Sequence, residues 1–90
     1  MSAAKFPLGQ LVATPTVLAA VPEPEIRAAI ARHLAGDWGD LCPVDRQANE
    51  RALRNGSRLV SSYRAGSGTK FWIITEWDRS ATTVLLPEDY

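Results

Sequence analysis

Two short stretches concentrate the side chains that could do chemistry. In "HLAGDWGDL" (33–41), Asp37 and Asp40 flank Trp38 and Gly39, so two carboxylates and a flat aromatic ring share one loop. In "TEWDRS" (75–80), Glu76, Asp78 and Arg79 crowd a single turn. If the fold brings both stretches to one rim, acid and base groups would sit beside a stacking surface. Tryptophan suits such a rim because it buries a large area at low entropic cost. Each stretch also has a purely architectural reading. Gly36 can end a helix, Asp37 or Asp40 can cap free backbone groups, and Trp38 can plug a gap over the core. Glu76, Asp78 and Arg79 can form a polar hairpin whose surface ion pairs contribute little.

Metal chemistry has thin support. A structural zinc needs about four ligands, and the chain has one histidine, His33, and one cysteine, Cys42. His33 lies four residues before Asp37, but Gly36 breaks the helix that would align them. Asp37, Asp40, Glu76 and Asp78 are oxygen donors of the kind magnesium takes, yet no spacing among them requires an ion. No cofactor is expected. The glycine-rich phosphate loops and the serine elbow of hydrolases are absent. Cys42, beside Pro43 at a helix start, reads as an inert, partly buried thiol rather than a nucleophile served by His33.

Charge narrows the function classes. Lys plus Arg and Asp plus Glu number ten each, which disfavours both a strongly basic nucleic-acid binder and an acidic mimic of DNA. The arginines are unevenly placed. Arg46, Arg51, Arg54, Arg58 and Arg64 face Glu50 alone in that stretch. Arg51, Arg54 and Arg58 are a weak candidate nucleic-acid patch, against the plainer reading of a solvated helix face.

The elements that must position these residues follow from periodicity. At 90 residues with 46% apolar content, the chain reads as one folded domain, 1–90. "GQLVA" (9–13) suggests a short strand. "TPTVLAAV" (14–21) begins a helix, with Thr14 as cap and Pro15 in the first turn. "PEPEIRAAIARHLAG" (22–36) is a clearer helix with a stripe of Ile26, Ile30 and Leu34. "CPVDRQANERALRNG" (42–56) is the next, with Val44, Ala48, Ala52 and Leu53 as its inward face. Then "RLVSSY" (58–63), "KFWIITEW" (70–77) and "TTVLL" (82–86) read as three strands joined by turns at "RAGSG" and "DRSA". Consecutive apolar residues Phe71 to Ile74 predict cover on both faces of the middle strand. The fold class is α+β: two to three helices on a three- to four-stranded antiparallel sheet that ends in a C-terminal meander.

One cysteine allows no internal disulfide and fits a reducing compartment. Residues 1–15 lack a signal-peptide pattern, and no apolar run approaches the roughly 20 residues of a membrane helix. A cytoplasmic protein without membrane partners is expected.

"FPLGQLVATP", "RHLAGDWGDL", "RLVSSY" and "FWIITEWDRSATTVLLPEDY" together resemble a family of small proteins encoded on bacterial plasmids, integrative elements and phages. The resemblance spans nearly the whole chain. It implies a mobile-element origin and a bacterial cytoplasmic setting, and it carries over no activity. Within that setting the leading expectation is a non-enzymatic accessory or interaction protein, such as an inhibitor of a host defence system, with another protein as partner and Trp38, Trp72 and Trp77 as contact surface. A homo-oligomer is compatible with this. One alternative is a ribonuclease toxin, because the element order is similar to that of RelE/ParE toxins; Arg58, Tyr63 and Arg79 would then carry the chemistry. Against it, the chain is neutral where those toxins are usually basic. The other alternative is nucleotide capture, with Trp38 stacking on a base and Arg79 near a phosphate.

Overall fold

Prolines and short polar residues punctuate the chain into its elements. The computed structural model describes residues 4–90; the first three residues of the stretch examined for a signal peptide lie outside that range. Strand β1 is Gln10–Ala13. Thr14 then caps helix α1, Pro15–Ala20, its hydroxyl accepting from the Val17 amide. Helix α2, Glu23–Leu34, starts with Glu23 and Glu25 in its first turn and carries Arg32 in its last, each charge matched to the helix dipole. Helix α3 is Pro43–Asn55, closed by Gly56. Strands β2 (Leu59–Arg64), β3 (Lys70–Thr75) and β4 (Ala81–Leu85) follow. A 3₁₀ turn at Pro87–Asp89 follows β4, and its Asp89 carboxylate accepts from Thr14 at 2.7 Å and from the Leu86 amide at 3.0 Å.

The strands form one sheet in the order β1-β4-β3-β2. The predicted meander is present: β2–β3 and β3–β4 are antiparallel. The fourth strand corrects the expectation of an antiparallel sheet, because β1 runs parallel to β4. The cause is the connection. β1 reaches β2 through three helices, and a helical crossover returns the chain to run in the same direction. β2 and β4 share that direction, so β1 meets β4 in parallel.

Register assigns the faces. Leu59, Ser61 and Tyr63 of β2 share a face with Phe71, Ile73 and Thr75 of β3 and with Thr82 and Val84 of β4. Two apolar clusters lie on that side. One joins Val17, Ile26 and Ala29 of the helices, and Val21 between them, to Tyr63, Phe71, Ile73 and Val84. The other gathers Phe6, Trp38, Ala52 and Leu59, with Leu8, Leu34, Leu41 and Leu53 at its margin. On the opposite face Ile74 and Leu85 are buried and Trp72 is half-buried, with Tyr90 packed edge-on against Trp72.

The inward face of α3 matches the expected one in its second half only. Ala52 is buried and Leu53 packs at the margin of the core, but Val44 and Ala48 are exposed and Asn49 is buried in their place. An apolar stripe is a poor guide where a helix sits at a sheet edge, because the edge offers hydrogen-bonding groups and not an apolar surface. Among the described residues, no helix is long and apolar enough to cross a membrane.

Candidate functional site

The 37–40 loop is built against the outer edge of β2. Residues 60 and 62 of that strand direct their backbone groups away from β3, and each group finds a substitute partner. The Asn49 side chain donates to the Val60 carbonyl at 2.7 Å and accepts from the Val60 amide at 3.2 Å. The Asp40 amide donates to the Ser62 carbonyl at 2.7 Å, and the Ser62 amide donates to the Trp38 carbonyl at 3.2 Å. The loop therefore acts as a one-residue strand, with Gly39 bridged in parallel to Ser62. Its φ is +74°, and a Cβ there would lie 1.9 Å from the Ser62 oxygen. Only glycine fits that approach.

Each predicted site residue in this loop has a structural partner or lies apart from the others. Trp38 is 3% exposed, which overturns its reading as a stacking surface for a ligand. Its ring stacks on Phe6 and meets His33 edge-on at centroid distances of 6.4 and 5.7 Å. Its Nε1 donates to Glu50 at 2.8 Å, which satisfies the one polar atom that burial would otherwise strand. Asp37 accepts from Arg32 Nε at 2.8 Å and Nη2 at 3.2 Å, and from the Gly39 amide at 3.2 Å. The Arg32 guanidinium holds the Asp37 carboxyl below its ordinary range, and Asp37 in turn raises Arg32. Tyr63 is buried; its hydroxyl donates to the Asp37 carbonyl at 2.6 Å, and burial pushes its pKa up to about 12. Asp40 contributes through its backbone, and its side chain is exposed.

The second stretch is a brace. Arg79 Nη1 donates to the carbonyls of Ser57, Glu76 and Trp77 at 2.6, 3.1 and 3.3 Å, and Nη2 donates to Ala52 at 3.0 Å. The side chain thus ties the β3–β4 turn to the C-terminal end of α3, where a cation also complements the dipole. Its guanidinium lies over the Phe6 ring at 5.8 Å. Asp78 is exposed; the Ser80 hydroxyl first, and the Ser80 amide, which donates to it at 3.0 Å, second, hold its carboxyl below its ordinary value. Glu76 is half-buried and serves the turn through its backbone. No hydrogen bond or ion pair joins Asp37 or Asp40 to Glu76, Asp78 or Arg79 among the described residues. Arg79 and Trp38 instead both lie against Phe6. The acid and base groups of the two stretches are therefore engaged within their own turns and not with one another. The magnesium set is not assembled: among the described residues no three His, Cys, Asp or Glu side chains gather as metal ligands. Cys42 is exposed at the start of α3, not partly buried as expected, because the helix begins on the outside of the fold.

The arginines are dispersed. Arg51 and Arg54 are exposed on α3. Arg58 lies 5.5 Å from the Tyr90 ring, which packs on Trp72 of the opposite sheet face from Tyr63. The toxin set of Arg58, Tyr63 and Arg79 is consequently split across the sheet, with Tyr63 buried and Arg79 occupied by carbonyls.

A buried polar chain crosses the helix side of the sheet. Thr82 donates to the Leu8 carbonyl at 2.8 Å and lies 2.8 Å from the Thr75 hydroxyl. Thr75 is 2.9 Å from His33 Nε2, and His33 Nδ1 meets the Ser61 hydroxyl. A carbonyl can only accept, so the proton directions follow link by link. Thr75 donates to Thr82, and His33 Nε2–H donates to Thr75. Burial first, and the Arg79 charge second, lower the His33 pKa to about 4, so near neutral pH the ring is uncharged and its bare Nδ1 accepts from Ser61. Sequence reasoning gave His33 no partner, because Ser61, Thr75 and Thr82 are far from it along the chain.

Among the described residues, the other edge of the sheet has no such cover. The Gln10 and Thr14 amides donate to Ser80 and Val84 beside β4. By strand alternation the amides and carbonyls of Leu11 and Ala13 point outward. Leu11 and Val12 are 50% and 42% exposed. Beneath this edge a groove of about 450 Å³ runs between the sheet and α1 and α2, lined by Leu11, Ala13, Leu18, Val21, Ile26 and Ile30. Leu18 is 58% exposed. The sequence signal was faint: a short strand with neither charge nor proline, the residues that usually protect an edge.

No protein-family model, curated protein or solved structure matches this chain.

Proposed function

We propose that the protein is a non-enzymatic interaction module that accepts an extended polypeptide strand along the open edge of β1. The observation that carries this reading is the outward row of backbone groups at Leu11 and Ala13 above an apolar groove. An incoming strand supplies the missing hydrogen bonds, and its alternate side chains enter the groove. The setting we propose is that of an accessory protein of a bacterial mobile element, acting on another protein, with a host defence component as one target. The engaged state of Arg79 and the burial of Trp38 and Tyr63 speak against the toxin and nucleotide-capture alternatives.

The test is a binding titration with labelled extended peptides that carry apolar residues at alternate positions. Wild-type protein is expected to bind the best of them, and Ala13→Pro, which removes an outward amide from an edge where proline is tolerated, is expected to abolish binding. Equal behaviour of wild type and variant would overturn the reading. Growth arrest on expression, relieved by Arg58→Ala, would favour the toxin alternative.

A further inference from the structure

We infer that the strand completing this edge is β1 of a second copy, paired antiparallel across a two-fold axis so that two four-stranded sheets become continuous. The inference rests on the reading of β1 as a strand-accepting edge, and it names the occupant. Three properties of the segment are self-complementary.

The first is hydrogen bonding. The outward groups belong to Leu11 and Ala13, two positions apart. An antiparallel pairing centred on Val12 sets Leu11 opposite Ala13 of the second copy, and Ala13 opposite its Leu11. Each such pair exchanges an N–H···O bond in both directions, so every outward group of the strand is used. The pairing ends naturally where Pro15, which has no amide hydrogen, would meet Gly9 of the second copy.

The second is shape. Leu11 and Ala13 share the helix face with Thr82 and Val84, so the exposed Leu11 meets a small residue at the mouth of the neighbouring groove. On the other face Val12 meets its own copy at a non-hydrogen-bonded position, where side chains come closest. An isologous contact needs this self-matching.

The third is charge. Residues 8–14 carry none. The charged groups of the groove, Glu23 and Arg27, already pair with each other at 2.7 Å. No like charges are forced together across the axis.

Sedimentation equilibrium on the full chain tests this, over about 5 to 500 µM, a range suited to a small interface. The wild type is expected to approach twice the 9.8 kDa chain mass. Val12→Lys sets two ammonium groups against each other on the axis and is expected to raise the dissociation constant about tenfold or more. Ala13→Pro is expected to do the same, with circular dichroism unchanged for both. In hydrogen exchange, the Leu11 and Ala13 amides are expected to gain protection as concentration rises, while Val60 and Ser62 do not change. A wild type that stays monomeric overturns the second copy as occupant. If that monomer still binds extended peptides and loses them in Ala13→Pro, the open-edge reading survives alone. A dimer indifferent to both variants overturns the inference and places self-association on another surface.

Discussion

The two edges of the sheet meet the same physical problem in opposite ways. At β2, the outward amides and carbonyls of Val60 and Ser62 are taken up by Asn49 and by the 38–40 backbone. At β1, the equivalent groups of Leu11 and Ala13 face outward beside exposed leucines. An unpaired strand edge is a template for another strand, so proteins normally cover or charge it. The described residues cover one edge with the composition that looked most like a site, and leave bare the edge that looked like nothing. A cluster of unusual residues can mark a demanding backbone contact as readily as a reaction.

Breaking the sealed edge should produce the largest effects. Gly39→Ala puts a Cβ into the Ser62 carbonyl at a positive φ. It is expected to lower stability by roughly 3 kcal/mol or more, from strain plus lost bridge bonds, read as a drop in the urea midpoint. Trp38→Ala empties a buried site and is expected to cost about 3–5 kcal/mol by the same measurement. A loss below about 1 kcal/mol for either would show that the seal is dispensable.

The pH response tests how firmly α2 holds the loop in place. His33 has a native pKa of about 4 against an ordinary 6.5, so below pH 6.5 the unfolded chain takes up a proton that the native state refuses. Stability is expected to fall as pH drops from about 6.5 to about 4, by up to roughly 3 kcal/mol, and this contribution levels off below the native value. His33→Gln should flatten that window in urea titrations at stepped pH; an unchanged slope would remove His33 as the cause.

Asn49→Ala is the sharper probe of edge chemistry. It leaves both Val60 backbone groups without the side-chain partner, for an expected loss of about 2 kcal/mol and faster exchange of the Val60 amide. If that amide remains protected, Asn49 is not what seals it. At the other edge, Leu18→Lys changes an exposed residue and is expected to shift dilute-protein stability by no more than about 0.5 kcal/mol. A large loss there would mean that the groove is part of the core.

Legibility followed the range of the interactions. Thr14 and Pro15 start α1, and glycines stop α2 and α3 close to where the sequence places them, because caps and stops act within a few residues. The hairpins joining β2, β3 and β4 were legible for the same reason. Asn49 was missed because a polar residue on an inward helix face makes sense only beside a strand edge. Arg79 looked free because its acceptors come from Ala52, Ser57, Glu76 and Trp77, carbonyls that no sequence pattern advertises.

By itself, the sequence determined an α+β chain of helices and a meander, the ends of its helices, and its balanced charge. These are set by local backbone preference and by periodicity. The tertiary structure decided that β1 runs parallel to β4, that Trp38 is core, that the Asp37–Asp40 loop is a sheet seal, and which edge stays open. Those outcomes depend on which distant backbone groups are left without partners once the chain has packed, and that is fixed only when every strand has its neighbour.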